Sequence, residues 1–116
     1  MKAIGYLRVS TEHQDLQRQK VLIKKYCEEN EVSLVGFVEE KISGAKTNRE
    51  GVNKILQLTK NDCDLLVLSD MSRLSREDDL MNVITKINTI RQNGLDLLML
   101  DTNELIRASD KIEIVN

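Results

Sequence analysis

The chain has 116 residues, of which 41% are hydrophobic and 31% charged, and its formal net charge is −2 at neutral pH. That length is enough for one domain with a core of its own. No stretch approaches the roughly 18 uninterrupted apolar residues a membrane span needs, and a mildly acidic balance argues against this domain alone gripping nucleic acid tightly. Cys27 and Cys63 have neither the density of a disulfide framework nor metal-ligand spacing, so both read as small buried hydrophobes. The N-terminus lacks the basic, apolar, small-residue order of a signal peptide. The expectation is a cytoplasmic protein.

In chain order, residues 3–9 (AIGYLRV) read as a strand and residues 13–30 as a helix. The helical stripe carries Leu16, Gln19, Leu22, Ile23, Tyr26 and Cys27. A second strand is expected at 34–39 (LVGFVE), then a helix at 49–60 with Val52, Ile55, Leu56 and Thr59 on its apolar side. Residues 64–69 (DLLVLS) and 95–100 (LDLLML) are near-continuous apolar runs, as expected of strands covered on both faces. Between them, Leu80, Val83, Ile84, Ile87 and Ile90 predict a helix over 76–93 that stops at Asn93-Gly94. After Asp101 the pattern weakens, and 110–116 (DKIEIVN) reads as the start of a helix or a short extra strand. With no proline, linker or low-complexity tract, the chain reads as one α/β domain. Its architecture is three-layered, a central and mostly parallel sheet with helices on both faces.

In such sheets chemistry collects at the carboxyl ends of the strands. Alternation along the first strand puts Tyr6, Arg8 and Ser10 on one face and Leu7 and Val9 on the other. An arginine there needs an anion. The residue types leave two open, a carboxylate such as Glu40 or Asp70, or a phosphate gripped by the guanidinium. Arg73 and Arg76 in SRLSR (72–76) are three apart at the start of the third predicted helix, and Arg49 opens the second. Cations in a first turn oppose the helix dipole, which suggests selection for binding over a solvated surface pair. Arginines beside a serine suit phosphoryl transfer, since guanidinium groups neutralise charge on the phosphorus oxygens in the transition state. The single histidine, His13, falls in an exposed first turn and is a poor candidate for a general base. Nothing matches a nucleophile elbow, a P-loop, a dinucleotide fingerprint or a metal-ligand cluster.

The motifs Y-x-R-V-S-T at 6–11, Gln14 and Gln19 after it, S-G-x-x-x-x-R-E-G at 43–51 and R-L-S-R at 73–76 together resemble the catalytic domain of the serine recombinases, the resolvase and DNA invertase family. The resemblance covers nearly the full chain and implies the resolvase-like fold. It implies that Ser10 attacks a DNA phosphodiester to leave a 5′-phosphoserine link and a free 3′-hydroxyl, and that Arg8, Arg73 and Arg76 surround the scissile phosphate. Arg49 takes a supporting place after the S-G loop, and Tyr6, Gln14, Gln19 and Ser43 complete the shell. It further implies double-stranded DNA at a recombination site as substrate, a homodimer or tetramer in the full-length parent, no membrane, and resealing without ATP, metal or other cofactor. Where many resolvases have an aspartate before the first arginine of the last motif, this chain has Ser72, and Asp70 lies two residues upstream as a candidate replacement. The family continues into a long oligomerisation helix and a DNA-binding domain, so residues 1–116 are expected to be a fragment, inert by itself if the segment around Ser43–Arg49 needs DNA to order it. Two readings from other classes stand beside this one: a non-catalytic α/β module that binds a phosphate or a partner, and a metal-free phosphodiester hydrolase.

Overall fold

The computed structural model describes residues 1–9, 13–41, 50–69 and 80–109. Among them are five strands and three helices in the order β1 (Lys2–Val9), α1 (His13–Glu29), β2 (Ser33–Lys41), α2 (Glu50–Gln57), β3 (Leu65–Leu68), α3 (Leu80–Gln92), β4 (Asp96–Met99) and β5 (Glu104–Ile106). They form one sheet of order β2-β1-β3-β4-β5. The first four strands are parallel, and β5 runs antiparallel to β4. The four predicted strands and the mostly parallel sheet are therefore present. After Asp101 a fifth strand that was not predicted, β5, occupies 104–106, too short to show a period, and the expectation for 110–116 falls outside the described residues.

The helices divide between the two faces. Leu16, Ile23 and Cys27 of α1 bury against Ala3, Leu7, Leu65, Val67 and Leu98. On the other face Val52 and Ile55 of α2 and Val83, Ile87 and Ile90 of α3 bury against Tyr6, Leu66, Leu68, Leu97 and Met99. β3 is buried at every residue because it is covered on both sides. Leu22, expected on the core stripe of α1, is instead 43% exposed. The buried line of that helix runs Leu16, Gln19, Ile23, Cys27, at spacings of three and four, and position 22 falls off it.

Two helix ends are closed by the same device. At the end of α3, Leu95 N–H donates to the Ile90 carbonyl and Gly94 N–H to that of Arg91, with Gly94 at φ 92°, a Schellman cap where the sequence predicted a stop. At the end of α1, Val32 N–H donates to the Cys27 carbonyl, and the left-handed position is held by Glu31 at φ 56°. α2 ends at Gln57, short of the predicted residue 60; the following residues form a turn in which the Asp62 carboxylate accepts the Thr59 N–H at 2.9 Å.

One irregularity positions the site. β1 and β2 pair Ala3 with Leu34 and then Ile4 with Gly36, so Val35 is an extra residue in β2. An extra residue inverts the alternation that follows it. Leu34 and Phe37 both pack on the α1 face, although an unbroken strand would place them on opposite faces. Val38 packs on the α2/α3 face, and Glu40, two residues on, follows it.

Candidate active site at the carboxyl edge of the sheet

Among the described residues, the buried polar side chains are Arg8, Gln19, Glu40 and Ser69. Arg8, Glu40 and Ser69 stand at or just past the carboxyl ends of the adjacent strands β1, β2 and β3, and Arg8 and Glu40 are paired in register. The sheet order 2-1-3 makes β1/β3 the point where strand order reverses, the crevice in which open α/β sheets hold their ligands.

Glu40 is the hub of this edge. Its Oε1 accepts the Tyr6 hydroxyl at 2.8 Å, and its Oε2 accepts the backbone N–H groups of Gly51 at 2.7 Å and Val52 at 3.2 Å. A carboxylate at a helix N-terminus satisfies donors that have no intrahelical partner and complements the helix dipole. Arg8 Nε lies 3.9 Å from Oε1, with 5% of the Arg8 side chain and 3% of the Glu40 side chain exposed. That separation is beyond hydrogen-bond reach, so the contact at this nitrogen is coulombic. Of the two anions the sequence left open for Arg8, the structure places the Glu40 carboxylate beside it. Gly51 explains itself here: a Cβ at that position would stand 2.7 Å from Cβ of Glu40, so only glycine lets the strand and the helix N-terminus approach this closely.

Gln19, buried on α1, donates from Nε2 to the Arg8 carbonyl at 3.4 Å, and so braces the end of β1 from the opposite face. The structure thus brings together Tyr6, Arg8 and Gln19 of the predicted site. Gln14 lies in the first turn of α1, with its side chain outside the described set. Ser10, Ser43, Arg49, Asp70, Ser72, Arg73 and Arg76 lie outside the described residues. Glu40 was read only as one possible partner for Arg8, and its role at the start of α2 was missed. Its signal was its place at the end of a strand, a charged residue following the apolar run LVGFV.

Both cysteines are buried and free, and burial pushes each thiol up from its ordinary value. That makes each a poor nucleophile. No group of three His, Cys, Asp or Glu side chains placed to hold a metal ion occurs among the described residues. Nor is any helix there long and apolar enough to cross a membrane.

Residues 3–114 match the family model described as the resolvase N-terminal domain. The chain belongs to the resolvase family. It is 35% identical over 108 residues to a resolvase of Clostridium perfringens, covering 92% of this chain and 53% of that one. It is also 35% identical over 88 residues to the transposon Tn1546 resolvase of Enterococcus faecium, covering 75% of this chain and 42% of that one. The chain thus spans about half the length of these relatives. Its fold is that of the N-terminal catalytic domain of TP901-1 integrase, with a TM-score of 0.75 at 22% identity over 90% of this chain and 81% of the other. The resolvase-like α/β fold expected from the motifs is the observed one.

Proposed function

We propose that this resolvase-family domain cuts and rejoins DNA strands at a recombination site, with Ser10 as nucleophile. The observation that carries the reading is Arg8, a buried arginine at the carboxyl end of β1 and two residues before Ser10 in the sequence. In this reading Ser10 Oγ attacks the phosphorus, a phosphoserine ester forms, the bond from phosphorus to the 3′-oxygen breaks, and that oxygen leaves as a 3′-hydroxyl carrying a proton. The reverse attack by a 3′-hydroxyl releases the serine, so the bond energy is conserved and no nucleotide or metal is consumed. Arg8, Arg73 and Arg76 neutralise the phosphorus oxygens, an effect worth roughly 10³–10⁵ in rate for a well-placed arginine in phosphoryl transfer. Arg49, Ser43, Gln14, Gln19, Tyr6, Asp70 and Ser72 complete the shell.

Glu40 gives Arg8 a counter-charge before substrate arrives. A buried guanidinium without an anion is costly. A carboxylate already engaged by Tyr6 and by α2 supplies one without requiring a hydrogen bond to Arg8 Nε. The substrate proposed is double-stranded DNA, and the assembly proposed is a dimer or tetramer of the full-length parent protein. Membership in the resolvase family supports this reading over a non-catalytic phosphate-binding module and over a hydrolase.

Incubating the parent protein with DNA carrying its crossover site, then denaturing, should trap a covalent protein–DNA adduct whose hydrolysis yields phosphoserine. Ser10→Ala should abolish the adduct while leaving thermal stability nearly unchanged. An adduct that persists in Ser10→Ala rejects the nucleophile assignment, and net strand scission with turnover and no adduct would favour the hydrolase.

A further inference from the structure

Glu40 performs its three hydrogen bonds from an awkward place. β2 lies at the edge of the sheet and, among the described residues, pairs with β1 along one side only. The end of an edge strand is among the parts of a fold most ready to open locally. Yet Glu40, next to last in β2, must stay aligned with Tyr6 on one element and with Gly51 and Val52 on another.

On the opposite face of the same strand stands a compact stack. The Phe37 ring lies over Gly5 of β1, where a Cβ would come within 2.7 Å of it, so the ring fills space that only glycine leaves open. The Lys20 ammonium of α1 sits 5.7 Å from the centre of that ring, and its Nζ meets the Glu39 carboxylate at 2.6 Å. Lys20 directly follows Gln19, whose amide donates to the Arg8 carbonyl, and Glu39 directly precedes Glu40. Strand alternation means that Glu40 itself cannot be reached from the α1 face; its neighbours can.

We propose that Lys20, Phe37 and Glu39 form a positioning clamp on the α1 face that holds the end of β2, and through it the Glu40 carboxylate, against Tyr6, Arg8 and the first turn of α2. Lys20 and Glu39 are positioning residues: they pair with each other beside Phe37 and act on Glu40 through the strand. Their side chains are 24% and 36% exposed, so the pair adds little to global stability. Its effect is local, on how often the end of β2 opens. The functional meaning of the clamp rests on reading this edge as the reaction site, but its existence does not, and its test needs no DNA.

The test is amide hydrogen exchange of the 116-residue chain followed by NMR. Gly51 and Val52 report the contact with Glu40, and Val67 and Leu98, buried in central strands, report global unfolding. Lys20→Glu and Glu39→Lys should each speed exchange at Gly51 and Val52 by about three- to tenfold, the size expected for a partly exposed ion pair plus a cation–π contact. Exchange at Val67 and Leu98 should change less than twofold. The double variant, which restores the opposite charges in swapped positions, should return Gly51 and Val52 towards the parent rates. If either single variant unfolds, Lys20→Gln, which removes the charge without reversing it, must give the same local acceleration. Unchanged rates at Gly51 and Val52, a change of equal size at Val67, or no recovery in the double variant would each overturn the proposal. Loss of DNA cleavage by Ser10→Ala bears on the reaction assignment alone, so the two ideas fail separately.

Discussion

The two edges of the sheet are built from similar residues and to different ends. At the carboxyl edge the polar groups are buried: Arg8 is 4% exposed, Glu40 3% and Gln19 1%. At the amino edge they lie at or near the surface. There the Lys2 N–H donates to the Asp64 carboxylate at 2.8 Å, Lys60 pairs loosely with Asp64 at 3.5 Å, and the Asp96 carboxylate accepts the Ala108 N–H at 2.9 Å. The amino-edge network ties turns to strand ends and could exchange partners with water at small cost. The carboxyl-edge network takes a charge pair out of water, which a fold retains only with good partners. Buried charge at one edge and surface caps at the other set the proposed reaction edge apart from the opposite one.

The contrast can be broken most forcefully at Glu40. Glu40→Ala leaves Arg8 without its carboxylate neighbour and removes the acceptor for two α2 amides and the Tyr6 hydroxyl. Urea unfolding should show a loss of about 3–5 kcal/mol, and a loss below about 1 kcal/mol would mean the edge is more solvated than its burial indicates. Gly51→Ala is next. Helix propensity alone predicts a gain of about 1 kcal/mol, whereas the 2.7 Å approach to Glu40 predicts a net loss of about 1–3 kcal/mol from overpacking. A more stable variant would show that α2 can retreat from Glu40 freely.

The amino edge should respond weakly. Glu31 caps α1 in a left-handed conformation that disfavours side chains. Glu31→Gly should therefore raise stability by about 0.5 kcal/mol, the relief of that strain less the added freedom of the unfolded chain; a loss would point to a contact of the Glu31 side chain that outweighs it. Smallest is Asp64. The Lys2 N–H, and after it Lys60, hold its carboxyl below the usual carboxylate range. A pKa depressed on folding gives stability that is present above the unfolded value and is lost as pH falls through the folded one. Asp64→Asn should thus lose a little stability at neutral pH, flatten the acid limb of the stability–pH curve below about pH 4 and match the parent at the acid end. A large neutral-pH loss would put buried-type energetics at the amino edge and erase the contrast.

Much of this was legible in the residues, because short apolar runs and helical stripes report burial directly. The runs at 64–69 and 95–100 became β3 and β4, and Asn93-Gly94 became the cap of α3. Alternation in β1 correctly separated Tyr6, in the core against α2 and α3, from Leu7, in the core against α1. Leu22 misled because hydrophobicity does not distinguish the edge of a stripe from its centre. β5 escaped because three residues carry no period. The place of Gly51 in its motif was visible, but its reason, the side chain of a distant glutamate, was not.

Local periodicity and the cost of burying charge were enough to place the helices, the four parallel strands and an arginine that needed an anion. Which anion stands beside that arginine was decided by tertiary structure. By simple alternation from Leu34, Glu40 would point towards α1, away from Arg8. The extra residue Val35 in the pairing of β1 with β2 reverses that phase and turns Glu40 to the side of Tyr6, Arg8 and α2. A bulge is a property of two strands pairing, and neither strand encodes it in its own periodicity.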